Sequence, residues 1–244
     1  CRDQFVIATK VGGPGIAHLR GGRNIDSTSI TEALEGSLRR LQTDYVDLYQ
    51  IHWPNRGHYH FRKNWSYEPK VGARDEYDNE IIDILGALDR QIKLGKIRAV
   101  GLSNETAWGT ASFLRLAEAH HLPRMVSIQN EYSLLCRWFD LDLAELALNE
   151  GLVLLSYSPL AAGILSGKYL NDTVPQGSRA SIKPGLDGRL TEFTDPPVQA
   201  YAKIAAQHGV RTEQMALAFC LQRPFMGSVI IGATSLEQLD IALD

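Results

Sequence analysis

The chain has 244 residues, a length at which one α/β barrel domain needs no second core. Its 25 Lys plus Arg stand against 28 Asp plus Glu, and 44% of residues are apolar, so no basic field invites nucleic acid. Cys1, Cys136 and Cys220 form no CxxC pair or disulfide framework, no apolar run approaches the ~20 residues that span a bilayer, and no signal-peptide pattern appears. The composition reads as a cytoplasmic protein, neither secreted nor inserted in a membrane.

Short β-rich runs alternate with longer segments of helical period, the pattern of βα units around a parallel sheet. The predicted strands are Phe5 to Thr9, Tyr45 to Ile51, Ile97 to Leu102, Met125 to Gln129, Leu152 to Tyr157 and Ser228 to Ile231. Between them, helices are predicted over Ser29 to Leu41, Glu80 to Leu94, Thr106 to His120, Leu141 to Asn149, Val198 to His208 and Thr212 to Gln222, with another beginning near Ser235. Ile30, Ala33, Leu34, Ser37, Leu38 and Leu41 form one stripe of the first helix, and Thr28 or Ser29 is its expected cap.

Two connections, Pro54 to Asn79 and Ala161 to Pro197, are long and polar, as lids and binding loops are. The first contains His58 and His60, read as part of a solvated loop because no acidic or Cys ligand completes a metal spacing beside them. The whole chain, 1–244, is read as one (β/α)8 TIM-barrel domain, incomplete at about six of eight strands. A first residue that is Cys1, with a strand-like run four residues later, reads as a start inside a longer protein whose first two βα units come before it.

In such a barrel the strand ends carry the chemistry. There the chain resembles the aldo-keto reductase family, in its Tas-like and potassium-channel β-subunit-like branches. The resemblance covers essentially the whole chain. It rests on "SLRRLQTDYVDLYQIHWP" at 37–54, "LGKIRAVGLSN" at 94–104, "IQNEYSLL" at 128–135, "YSPLAAGILSGKY" at 157–169 and "IIGATSLEQL" at 230–239.

The resemblance implies a catalytic Lys10, ending "FVIATK", whose ammonium favours the phenolate of a catalytic tyrosine and so tunes that phenol as a proton donor. It implies that His52 orients the substrate carbonyl, although taken alone His52 reads as a core histidine and Lys10 as a rim residue. The family's tyrosine and its aspartate precede the strand that ends at this lysine, so neither is expected within 1–244, and Tyr45, Tyr49 and Tyr59 are not promoted in their place.

For the cofactor, NADPH or NADP, the resemblance assigns Ser103, Asn104 and Gln129 to the nicotinamide carboxamide and Tyr157 to stacking on the ring. Ser158, Leu160, Gly163 and Leu165 are assigned mostly backbone contacts in the pyrophosphate loop, with Lys168 adding charge. Arg179 is assigned to the adenosine phosphates, and Thr234 and Gln238 to the 2′-phosphate and ribose. The bland readings are a helix cap at Asn104 or Thr106, another at Thr234 or Ser235, and core packing for Tyr157. Relatives usually carry an asparagine four positions after Gln238, where this chain has Ala242.

The implied activity is NADPH-dependent reduction of an aldehyde or ketone to an alcohol in the complete protein, with these residues alone inactive. The alternative is a nucleotide-binding regulatory subunit of the channel β-subunit type. A hydrolase on an unrelated barrel is excluded, since no strand end offers paired carboxylates, a metal set or a Ser-His-Asp arrangement. The expected partner is a small carbonyl substrate, with no nucleic acid and no metal.

Overall fold

The computed structural model describes residues 2–243, which divide into two compact units. The first unit comprises Cys1–Tyr59, Ser66–Gln129 and Asn149–Val153, and the second His60–Trp65, Asn130–Leu148 and Leu154–Asp244. All six expected strands form, each parallel to its neighbours within its unit, and the α/β class read from the sequence is borne out.

In the first unit β1 (Ala8–Val11), β2 (Val46–Ile51), β3 (Ile97–Ser103) and β4 (Met125–Gln129) pair in that order, with α1 (Ser27–Leu41), α2 (Arg74–Lys93) and α3 (Ala107–Ala119) as crossovers. Every residue of β2 except Asp47 is buried, as in a parallel strand covered on both faces. Tyr49 points toward α1, its hydroxyl reaching Ile30 O at 3.5 Å. Alternation therefore turns Leu48 and Gln50 to the opposite face. On the helix side, Ile30 and Leu34 of α1 and Leu85 and Leu88 of α2 are buried.

Three boundaries differ from expectation. β1 begins at Ala8, and Phe5 and Val6 are exposed because the ladder with β2 opens only at Ala8↔Leu48. Just before it, Ile7 N donates to the Asp47 carboxylate at 2.9 Å instead of to a strand. α1 is capped by Asp26, not Thr28 or Ser29: Ser29 N donates to Asp26 Oδ1 at 2.7 Å, and Asp26 N donates back to Ser29 Oγ at 3.1 Å. α2 starts six residues before the expected Glu80, with Asp75 and Glu76 in its first turn, where carboxylates suit the positive end of the helix dipole.

In the second unit β5 (Val153–Ser156) pairs with β6 (Met226–Val229), two residues earlier than the expected sixth strand. Helices α4 (Asp142–Glu150), α5 (Arg179–Ile182), α6 (Asp195–Gln207), α7 (Thr212–Leu221) and α8 (Leu236–Leu243) complete the described elements. The long segment after β5 is not an irregular loop. It folds into short helical turns whose Ala161, Ile164, Leu165, Tyr169, Ala180 and Leu186 bury together with Val198 of α6 and Ala216 of α7. His58 and His60, expected in a solvated loop, are both buried. Among the described residues no helix is long and apolar enough to cross a membrane.

Leu34, wholly buried on α1, should be costly to truncate: Leu34→Ala should lower the unfolding free energy by about 2–5 kcal/mol. Leu41→Ala, at an exposed position of the same helix, should change it by less than about 0.5 kcal/mol. Urea unfolding of the two variants tests the contrast. Equal losses would mean that α1 does not bury the face described.

Candidate active site

The polar residues of the first unit gather at the carboxyl ends of its strands because partners across parallel strands point the same way. Lys10 pairs with Gln50, Gln50 with Gly101, and Gly101 with Ser127. Two residues further along the same face come His52, Ser103 and Gln129, with Ser103↔Gln129 in register. The backbone of His52 is fixed by its N–H donating to Val11 O at 2.9 Å. Lys10, His52, Ser103 and Gln129 are thus brought to one face by the sheet itself.

The imidazole of His52 makes no hydrogen bond among the described residues and lies 4.6 Å, ring to ring, from Trp53. Burial pushes its pKa down to about 4, and the charge of Lys10 pushes in the same direction. At neutral pH the ring is neutral, with one N–H donor and one acceptor nitrogen. Lys10 is half-buried, and desolvation lowers its pKa. Its ammonium has neither an ion-pair nor a hydrogen-bond partner among the described residues. Trp53 packs rather than lining open space: its Nε1 donates to Pro14 O at 3.1 Å, and a Cβ on Gly13 would fall 2.3 Å from that nitrogen.

Ser103 and Asn104 are both buried. Ser103 Oγ donates to Gln129 O at 2.7 Å, and Asn104 Nδ2 donates to His52 O at 2.9 Å and Ser103 Oγ at 3.0 Å. Asn104 adopts a left-handed φ of 50°, which Asn tolerates better than most residues. Their polar atoms therefore brace the strand ends. Of the two caps read for α3 it is Thr106 that forms, accepting from Gly109 N at 3.3 Å. Gln129 is half-buried, and its amide makes no hydrogen bond among the described residues. Nearby, Arg56 forms a buried ion pair with Glu105 and also donates to Thr106 Oγ1 at 2.9 Å, joining the segments that follow β2 and β3.

The tyrosines set aside as proton donors are engaged elsewhere. Tyr45 lies between the guanidiniums of Arg2 and Arg98, at 4.0 and 4.1 Å from its ring centroid, Tyr49 faces α1, and Tyr59 packs edge-on against Tyr67.

In the second unit Tyr157 follows β5 and is half-buried, its N–H donating to Asn130 O at 3.1 Å. Burial and the charge of Glu131 raise its pKa, so the phenol stays protonated. Beyond it, Ser158, Ala161, Ala162 and Gly163 all have positive φ, a strained left-handed run for residues other than glycine. Gly163 N and Leu165 N both donate to Leu160 O, at 2.9 and 3.2 Å, and Leu165 is fully buried, so these two amides close the loop on itself. Lys168 is exposed, folded back over Gly163 with its Nζ 5.2 Å from the Tyr169 ring. Arg179 is exposed and makes no hydrogen bond or ion pair among the described residues. Thr234 and Gln238 join at the start of α8: Thr234 N and Oγ1 donate to Gln238 Oε1 at 3.0 and 3.1 Å. Gln238 N donates to Ser235 Oγ at 3.3 Å, so of the two caps read for this segment it is Ser235 that caps α8.

One cluster was not found in the sequence. Glu131, buried two residues after Gln129, receives Arg62 Nη2 at 2.5 Å and Arg189 through Nε and Nη2, both at 2.9 Å. The signal available was a lone carboxylate inside the apolar "IQNEYSLL", which had to find a cation once buried.

The aldo/keto reductase family model matches residues 1–244, and the chain belongs to that family. Its members are oxidoreductases that act on small carbonyl compounds with a nicotinamide cofactor. The chain is similar to the protein tas of Escherichia coli strain K12, 45% identical over 98% of this chain and 68% of that protein. It is also similar to an aldo-keto reductase of Babesia bovis, 37% identical over 97% of this chain and 87% of that protein. A putative voltage-gated potassium channel subunit beta of Schizosaccharomyces pombe is 31% identical over 98% of this chain and 64% of that protein.

The depressed His52 pKa has a sign that can be checked. With about 4 in the folded state against an ordinary value of 6.5, the unfolded chain binds the extra proton between those limits. The contribution of His52 is therefore complete above pH 6.5 and declines as pH falls toward 4. Lys10→Met removes the repelling charge and should raise the His52 pKa, read from its imidazole proton shifts. A titration near 6.5 in the parent, or no change in the variant, would refute the described environment.

Proposed function

We propose that the complete protein reduces an aldehyde or ketone to an alcohol by hydride transfer with NADPH. The observation that carries this reading is a Lys10 ammonium without a partner among the described residues and a neutral His52 imidazole, on adjacent strand ends. A neutral imidazole donates a hydrogen bond to a carbonyl oxygen without giving up its proton, and so holds the oxygen where negative charge develops. The ammonium favours the ionised form of a nearby phenol, which makes that phenol a better proton donor near neutral pH. Within residues 1–244 no tyrosine is assigned that role, and the isolated segment is proposed to be inactive for that reason.

The residues suit a nicotinamide dinucleotide. The amide of Gln129, without a hydrogen bond among the described residues, offers a donor and an acceptor to a carboxamide, and the half-buried ring of Tyr157 offers a stacking face. Ser158 and Leu160 belong to a loop of compact left-handed backbone suited to close approach by phosphate, and Lys168 and Arg179 are exposed cations. These two support NADPH over NADH, because a 2′-phosphate adds negative charge that NADH lacks. Thr234 and Gln238 remain assigned to the 2′-phosphate and ribose. When bound, the cofactor supplies the hydride; the protein's own work is to orient the carbonyl and to manage the proton. The proposed compartment is the cytoplasm.

Two measurements on the full-length protein test the reading. Fluorescence titration should show NADPH binding more tightly than NADH, and Arg179→Ala should weaken NADPH by about tenfold, the scale of one charge-assisted hydrogen bond. Equal affinities in the parent would remove the phosphate assignment. Lys10→Met should lower kcat by about 10²–10⁴-fold while NADPH affinity holds within about twofold, since the lysine acts on proton transfer. Tight NADPH binding with no turnover on any small aldehyde would instead favour a nucleotide-binding regulatory subunit.

A further inference from the structure

Glu131, Tyr157, Arg62 and Arg189 all belong to the second unit. A parallel bridge sets Glu131 opposite Tyr157, with Tyr157 N donating to Asn130 O at 3.1 Å and Tyr132 N to Tyr157 O at 3.3 Å. Partners at such a bridge turn their side chains the same way, so the carboxylate stands on the side of the phenol ring. The electrostatics agree: burial first, and then the charge of Glu131, raise the Tyr157 pKa, while Arg189 and Arg62 oppose them. All three charges are felt at that phenol.

The carboxylate is also where two segments of the second unit meet. Arg62 Nη2 donates to Glu131 Oε1 at 2.5 Å, and Arg189 straddles both oxygens, Nε to Oε1 and Nη2 to Oε2, each at 2.9 Å. Arg189 is held in turn by its own segment, Nη1 donating to Leu186 O at 3.1 Å, and Leu186 is part of the buried core of that unit. Arg62 lies over the Trp138 ring, 5.6 Å from its centroid. The backbone at or just before each arginine is left-handed, at Phe61 and Arg62 (φ 58° and 62°) and at Leu186 and Asp187 (φ 50° and 59°). Such conformations persist only where the surroundings fix them, and the fixed point common to both segments is the Glu131 carboxylate. A buried ion group adds little net stability over apolar packing of the same volume, because desolvation offsets its attraction; what it supplies is a specific geometry.

We propose that Glu131, through Arg62 and Arg189, is a positioning residue for Tyr157: by fixing both segments beside the bridge it sets the angle at which the ring stacks on the nicotinamide. The inference rests on the stacking role given to Tyr157 under the proposed function. Glu131 acts through the ring and not on the cofactor, so its effect is confined to the nicotinamide half of the dinucleotide.

Calorimetric titration of the full-length protein tests this with two ligands, NADPH and adenosine 2′,5′-bisphosphate, which carries the 2′-phosphate but no nicotinamide. Glu131→Gln keeps the shape of the side chain and removes its charge. It should weaken NADPH about tenfold, the scale of one aromatic stacking contact, while the bisphosphate holds within about twofold. Arg62→Met leaves the carboxylate paired with Arg189, so it spares the fold if Glu131→Gln does not, and should show the same pattern at about threefold. In a Tyr157→Ala background the Glu131→Gln loss should disappear, since its route to the cofactor is gone. Equal losses for the two ligands, a loss that persists without Tyr157, or no loss in Arg62→Met overturns the proposal. Unchanged NADPH affinity in Tyr157→Ala alone would remove the stacking assignment and the inference with it. A loss there, with none in Glu131→Gln and Arg62→Met, would sink the inference and leave the stacking role standing.

Discussion

Parallel register is the constraint on which the rest of the first unit depends. Once Ala8 is set opposite Leu48, Lys10 must stand beside Gln50, and His52 must follow one step further along the same face. The β2–β3 and β3–β4 ladders carry that alignment to Gly101 and Ser103 and then to Ser127 and Gln129. A slip of one residue in any strand would turn its contribution toward the helices. Chemistry at these strand ends is therefore a property of pairing before it is a property of any side chain.

Burial then supplies the electrostatics. The same covering of both faces that makes β2 nearly continuous in buried residues strips water from Lys10 and His52 and lowers the pKa of each. Because both groups lose protons more readily as they are desolvated, the sheet favours a neutral imidazole beside a cation whose charge is costly to keep. Asn104 adds rigidity without charge, its amide tying the backbone at His52 to the end of β3.

Strand order, helix alternation and the strand-end residues were legible in the sequence because parallel strands are apolar runs and their ends carry long, specific motifs. β4 forms over the residues expected, and β2 lies one residue from its expected start. The boundaries that moved did so through side chains that pattern alone does not weigh. Asp47 takes the Ile7 amide out of the first ladder, and Asp26 caps α1 by a reciprocal bond with Ser29. His58 and His60 were read as solvated because no Cys or acidic ligand completes a metal spacing beside them, yet both are buried; a sequence shows who is adjacent along the chain, not who folds over them. Glu131 was overlooked for the same reason, since Arg62 and Arg189 are each 58 or more positions away, on either side of it.

That shared carboxylate ties together two separate stretches of chain. Arg62 belongs to the excursion after β2 and Arg189 to the one after β5, and in the second unit both anchor on Glu131. Exchange of either stretch with that of a relative would leave the remaining arginine holding a carboxylate whose second counter-ion is gone. In this chain the two stretches therefore have to be replaced together or not at all.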